Sequence, residues 1–150
     1  MEGNGMHGEP LDALENVIRL LKPSRDGIVT DADFTLSPAD EFSPLQSLSV
    51  WAERRTTLTQ ALVFIGKPET YSLYAVLNVG NIRVLTIETE PPQMVLDVVW
   101  DKLENDERAG AEGHAGITGL LRPTGIPKLL YKELRRKIAD LARNNLHSLP

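Results

Sequence analysis

Residues 70–89 read TYSLYAVLNV, then GN, then IRVLTIET, and this is the clearest local signal in the chain. β-branched and aromatic residues fill both flanks, with Gly80-Asn81 between them. A glycine at the first central position of a two-residue loop suits a type II′ turn, so the stretch predicts a β-hairpin. That turn sets a register. Val79 faces Ile82, Leu77 faces Val84 and Ala75 faces Thr86, while Tyr74 with Ile87 and Val76 with Leu85 occupy the other face. Both faces are largely apolar, which predicts a sheet covered on both sides, at least in part.

Working outward, residues 57–66 (TLTQALVFIG) read as a further strand, stopped by Gly66-Lys67-Pro68. On the other side, Glu90-Pro91-Pro92 opens a predicted helix to about Glu104. Val95, Leu96, Val99, Trp100 and Leu103 form its broad apolar face, and Asp97, Asp101 and Glu104 form an acidic ridge. Met94 and Val98 lie beyond that ridge, so the helix is apolar around much of its circumference. Such a helix must be sandwiched, and Met94, Val98 and Trp100 are the candidate protein-interface residues. Trp51 reads as core.

The N-terminal half predicts two helices. Pro10 precedes Leu11, Leu14, Val17, Ile18 and Leu21, spaced for one helical face that ends before Pro23. Ser43-Pro44 reads as a cap and first helical position for a helix over 44–55, with Leu45, Leu48, Trp51 and Ala52 on one face. Ser37-Pro38 has the same form. Between the two helices, residues 23–43 form a Pro-, Ser- and Asp-rich loop or clasp. Residues 1–9 read as a disordered start.

Toward the C-terminus, residues 105–115 read as a polar loop and GITGLL at 116–121 as a short strand. The last predicted helix runs from about Pro127 to Asn144 with Leu130, Leu134, Ile138 and Leu141 on one face. The expected fold class is α+β: an antiparallel sheet of about four strands with helices against it, in the order α-α-β-β-β-α-β-α. At 150 residues the chain is one domain's worth, here 10–150.

Composition limits the chemistry. The chain has no cysteine, which excludes disulfides, thiolate zinc sites, iron–sulfur clusters and a cysteine nucleophile. No apolar run reaches the roughly 18–20 residues of a membrane span, and no secretory signal opens the chain, so a soluble, cytoplasmic protein is expected. The net charge of -5 divides into −9 over residues 1–125 and +4 over residues 126–150. The acidic total argues against general nucleic-acid binding.

The basic residues of the last helix are the most pointed feature. Lys128, Lys132, Arg135, Arg136 and Arg143 cluster opposite its apolar face, and Arg122 precedes it in an Arg-Pro-Thr-Gly turn. These six are the candidate anion- or partner-binding residues, suited to phosphates, an anionic membrane surface or an acidic protein surface. The plainer reading is a solvated face whose late cations suit the helix C-terminus.

Metal and catalytic signals are weak. An EF-hand loop from Asp31 wants glycine at its sixth place and glutamate at its twelfth, where this chain has Leu36 and Phe42. His7, His114 and His147 fall in predicted loops or termini, with no second ligand at metal spacing. His114 serves as a general base only if folding brings Ser or Asp partners to it. No Gly-x-Ser-x-Gly elbow is present. No catalytic residue, metal ligand or cofactor is therefore assigned. The sequence predicts a non-enzymatic interaction or assembly protein that forms a homodimer through its apolar helix and hairpin. The alternative is an anion-binding adaptor whose C-terminal helix meets nucleic acid or an anionic membrane.

Overall fold

Short apolar runs dominate this chain, and in the computed structural model they become strands rather than helices. The structure describes residues 8–22, 28–42, 45–65, 70–85, 96–101, 113–121 and 127–149. Among these residues six strands form one sheet: β1 (Asn16–Leu21), β2 (Leu48–Ala52), β3 (Leu73–Asn78), β4 (Asp97–Trp100), β5 (His114–Thr118) and β6 (Leu146–Ser148). Their spatial order is β4-β5-β2-β1-β3-β6, and every neighbouring pair is antiparallel. Among the described residues four helices accompany them: α1 (Pro38–Phe42), α2 (Leu58–Ile65), α3 (Val79–Arg83) and α4 (Lys128–Arg143), with a 3-10 turn at Asp31–Phe34. The α+β class and the antiparallel sheet agree with expectation, while the strand count and element order do not.

The differences have a common cause. In NVIRLL and LSVWA nearly every position is buried, because the sheet is covered on both faces. A run with no polar side satisfies helical and extended spacing alike, so periodicity does not choose between them. The helix predicted over 10–21 is therefore β1, and that over 44–55 is β2. The helix predicted over 91–104 contains β4, with 91–95 and 102–104 outside the described residues. The error at 57–66 runs the other way. Thr57 and Gln60 form a capping box, with the Thr57 N–H donating to Gln60 Oε1 at 3.0 Å and the Gln60 N–H to Thr57 Oγ1 at 3.1 Å. That box starts α2 where a strand was expected.

The predicted hairpin also gives way to a cap. Asn78 Oδ1 accepts the Asn81 N–H at 3.0 Å, which turns the end of β3 into α3. Gly80 is not at a positive φ. Its lack of a side chain serves packing, since a Cβ there would come within 3.0 Å of the Ala13 carbonyl oxygen. β3 pairs instead with β1 through six residue pairs, Asn16 with Asn78 to Leu21 with Leu73.

Two capping boxes punctuate residues 28–42. Thr30 with Asp33 caps the 3-10 turn. Ser37 with Asp40 caps α1 as its Ser-Pro sequence predicts, with the Asp40 N–H donating to Ser37 Oγ at 3.1 Å. Ser43-Pro44 lies outside the described residues. Gly8 and Glu9, expected in the disordered start, hydrogen-bond Trp100, and the Leu11 N–H donates to Val98 O at 2.9 Å. The segment around Pro10 thus covers the β4 edge of the sheet.

The two faces of the sheet are unequal. The first carries Val17, Leu21, Leu48, Val50, Ala52, Ala75, Leu77, Val98, Trp100, Ala115 and Ile117 in one continuous core with Tyr131, Leu134, Ile138, Ala139 and Ala142 of α4. The span of α4 matches its prediction within a residue or so. The second face carries Ile18, Leu20 and Trp51 against Ala61 and Phe64 of α2, a much smaller apolar cluster.

Candidate functional site

The strand order sets up one unusual junction. β1 and β2 meet through only two residue pairs, Val17 with Ala52 and Ile18 with Trp51. Beyond them no pairing continues, although β1 stays paired to β3 and β2 stays paired to β5 over the same stretch. The sheet therefore forks between its central strands. A buried carbonyl at such a fork needs a donor. Arg19 supplies it: Nη1 donates to Ser49 O at 2.9 Å, and Nη2 donates to Asp33 O at 3.2 Å. Burial lowers the pKa of this guanidinium from its ordinary value, and Asp40, Tyr71 and Asp33 oppose that shift.

The fork opens into a cavity of about 420 Å³. Arg19, Lys22, Asp33 and Asp40 line it together with Ser49, Trp51, Phe64, Tyr71 and His114. Asp33 and Asp40 are the carboxylates of the two capping boxes. Among the described residues no group of three His, Asp or Glu side chains is placed to hold a metal ion.

Ser49 and His114 line this cavity, and Asp101 lies behind the histidine ring, against its Nδ1. Side chains alternate along a strand. Ser49 and Trp51 of β2 thus share the second face with His114 of β5, which pairs with Trp51. Asp101 follows β4 directly and lies beside His114, whose carbonyl accepts the Asp101 N–H at 3.0 Å. His114 Nε2 is 3.1 Å from Ser49 Oγ. His114 Nδ1 is 3.0 Å from the Asp101 carbonyl oxygen and 3.4 Å from its Oδ2. A backbone carbonyl only accepts, so the proton sits on Nδ1. In the neutral ring, Nε2 then accepts the Ser49 hydroxyl proton.

The ring is held firmly. His114 is 6% exposed, stacks on Phe64 at 5.8 Å between centroids and meets the edge of Trp51 at 5.4 Å. Beside it, Gly116 leaves room for the buried Ser47, whose Oγ would lie 2.0 Å from a Cβ on Gly116. Two residues that line the cavity also carry an unmatched nitrogen. Arg19 Nε and Trp51 Nε1 are buried and have no hydrogen-bond partner among the described residues.

The residues singled out from sequence lie elsewhere. Lys128, Lys132 and Arg136 are exposed on α4, with Arg136 donating to Glu133 at 2.8 Å. Arg143 bonds Asp140 and the Val29 carbonyl. Arg135 is half-buried in a groove with Glu41 and Leu120. Val98 and Trp100 are fully buried on β4, within the chain's own core. Arg122 and Met94 lie outside the described residues. Of the predicted loop 105–115, only 113–115 are described, and there His114 opens a strand. No helix among the described residues is long and apolar enough to cross a membrane.

The missed signal was the alternation in two short stretches. Ser47, Ser49 and Trp51 recur at every second position, as do His114, Gly116 and Thr118. Read as strands, each puts small or polar groups on one face. Searches against protein-family models, curated proteins and solved structures give no significant match.

Proposed function

We propose that the fork is the active site of a small acyl-ester hydrolase in which Ser49 is the nucleophile. The observation that carries this reading is the line Ser49 Oγ, His114 Nε2, His114 Nδ1, Asp101, with its serine end lining the cavity. A nucleophile bonded to a base, and a base bonded to an orienting group, is the arrangement acyl transfer requires. The homodimer expected from sequence relied in part on Val98 and Trp100, which this fold uses internally. The fork is thus the stronger basis for a function.

Each residue has a defined task. As Ser49 Oγ adds to the ester carbonyl carbon, its proton passes to His114 Nε2. The displaced π pair rests on the carbonyl oxygen, then returns as the bond to the alcohol oxygen breaks. The alcohol leaves with the proton from Nε2. Water then adds to the acyl carbon and gives a proton to Nε2. That proton goes to Ser49 Oγ as the carboxylic acid departs. The Asp101 carbonyl keeps the ring in its Nδ1–H tautomer, and the Asp101 carboxylate offsets the charge when the ring holds both protons.

Hydrolysis of short-chain p-nitrophenyl esters tests this. The unmodified protein should turn over the ester, and Ser49→Ala and His114→Ala should each lower kcat by roughly a thousandfold or more. A rate no higher than that of heat-denatured protein, or a Ser49→Ala variant as fast as its parent, would refute the proposal.

A further inference from the structure

Strand pairing brings no backbone donor to the carbonyl of Ser49 from either side. Toward β1, the Glu53 N–H donates to Asn16 O at 3.0 Å, so bonded pairs of this antiparallel ladder fall at Asn16 with Glu53 and, two residues on, at Ile18 with Trp51. The next would be Leu20 with Ser49, and it lies past the point where the strands part. Toward β5, Ser49 stands opposite Gly116. The Asp101 N–H bonds the His114 carbonyl, so His114 and, two residues on, Gly116 turn their peptide groups to β4. The donor that does reach Ser49 O is Arg19 Nη1, at 2.9 Å.

We infer that Arg19 is the positioning residue of the nucleophile: its guanidinium replaces the missing strand N–H and fixes where Ser49 Oγ sits relative to His114 Nε2. The inference rests on the hydrolase reading for its bearing on catalysis. Ile18 and Leu20 pack on the second face, so alternation starts the Arg19 side chain from the other one. It meets Ser49 at the backbone, and its hydrogen bonds among the described residues go to peptide carbonyls alone.

The second of those bonds gives the clamp its other end. Arg19 Nη2 donates to Asp33 O at 3.2 Å, in the 3-10 turn, and Asp33 and Ser49 both line the cavity. A guanidinium presents its donors in one rigid plane, so a single side chain sets both backbones together. Tilting the Ser49 peptide plane swings its Cβ and with it Oγ. A reacting group tolerates little such movement, since a misplacement of about 1 Å costs on the order of a hundredfold in rate. An effect of charge alone would survive in lysine, whereas the clamp needs the planar fork that lysine lacks.

The test compares the parent protein with Arg19→Lys, which keeps the charge and loses the fork, and Arg19→Met, which loses both. Hydrolysis of p-nitrophenyl acetate is measured per folded molecule, with the folded fraction taken from circular dichroism. In parallel, ¹⁵N-histidine NMR follows His114 Nε2, and Ser49→Ala supplies the position of that resonance without its hydroxyl donor, downfield of the parent. The rate constant kcat should fall about tenfold in Arg19→Lys and about a hundredfold in Arg19→Met, with KM within about threefold of the parent. The Nε2 resonance should move toward its Ser49→Ala position in the same order. A merely structural arginine would lower the urea midpoint and leave kcat per folded molecule and Nε2 unchanged. That result in Arg19→Lys overturns the inference, whether or not Arg19→Met folds. A parent that cleaves no ester defeats the hydrolase reading instead, and the Nε2 shift then still decides whether Arg19 holds Ser49 to His114.

Discussion

The two faces of the sheet follow different physical rules. On the face that packs with α4, Leu134 and Ile138 are fully buried among aliphatic strand residues. That face is built from hydrophobic burial at about 25 cal/mol per Å² of apolar surface. The opposite face carries Ser47, Ser49, His114, Gly116 and Asp101 beside a small apolar cluster. Polar groups there are buried at a cost that only their hydrogen bonds offset. Here the first face carries the fold, and the second holds a bonded histidine beside a forked junction.

Substitutions on each face test this division. The largest effect is expected on the α4 side. Ile138→Ala should lower the unfolding free energy by about 2–5 kcal/mol, measured by urea denaturation. A loss under about 1 kcal/mol would mean that α4 is not the main support. On the other face, Gly116→Ala forces a Cβ against Ser47 and should cost about 1–3 kcal/mol. If it is neutral, the second face is looser than described. The smallest effect concerns Tyr131, the buried phenol of α4, whose pKa burial raises. The unfolded chain loses that proton first, so stability is full below the unfolded tyrosine pKa of about 10 and falls as pH rises past it. Tyr131→Phe should therefore show a shallower alkaline decline in thermal melts than the parent protein.

The same contrast explains what the sequence made legible. α4 is long, with apolar and basic residues on opposed sides, so its period alone identifies it. Ser37-Pro38 marked the start of α1 by local capping chemistry. The strands were misread because β1 and β2 are buried on both sides and too short to show a distinct period. Thr57-x-x-Gln60 was a readable capping box, outweighed by the β-branched and aromatic residues after it. The site was out of reach for a different reason. Ser49 and His114 are 65 residues apart, and Asp101 joins them only because β4 lies against β5. Once His114 is placed on a strand instead of in a loop, its partners follow from the register.

The central claim is that Ser49 is activated by His114 in the folded protein. Labelling by a fluorophosphonate, read by intact-mass and peptide mass spectrometry, measures it most directly. The account predicts one adduct per chain, on Ser49, forming at least tenfold more slowly in His114→Ala and in urea-unfolded protein. A folded protein that stays unlabelled, or one labelled at Ser49 equally fast without His114, would contradict it.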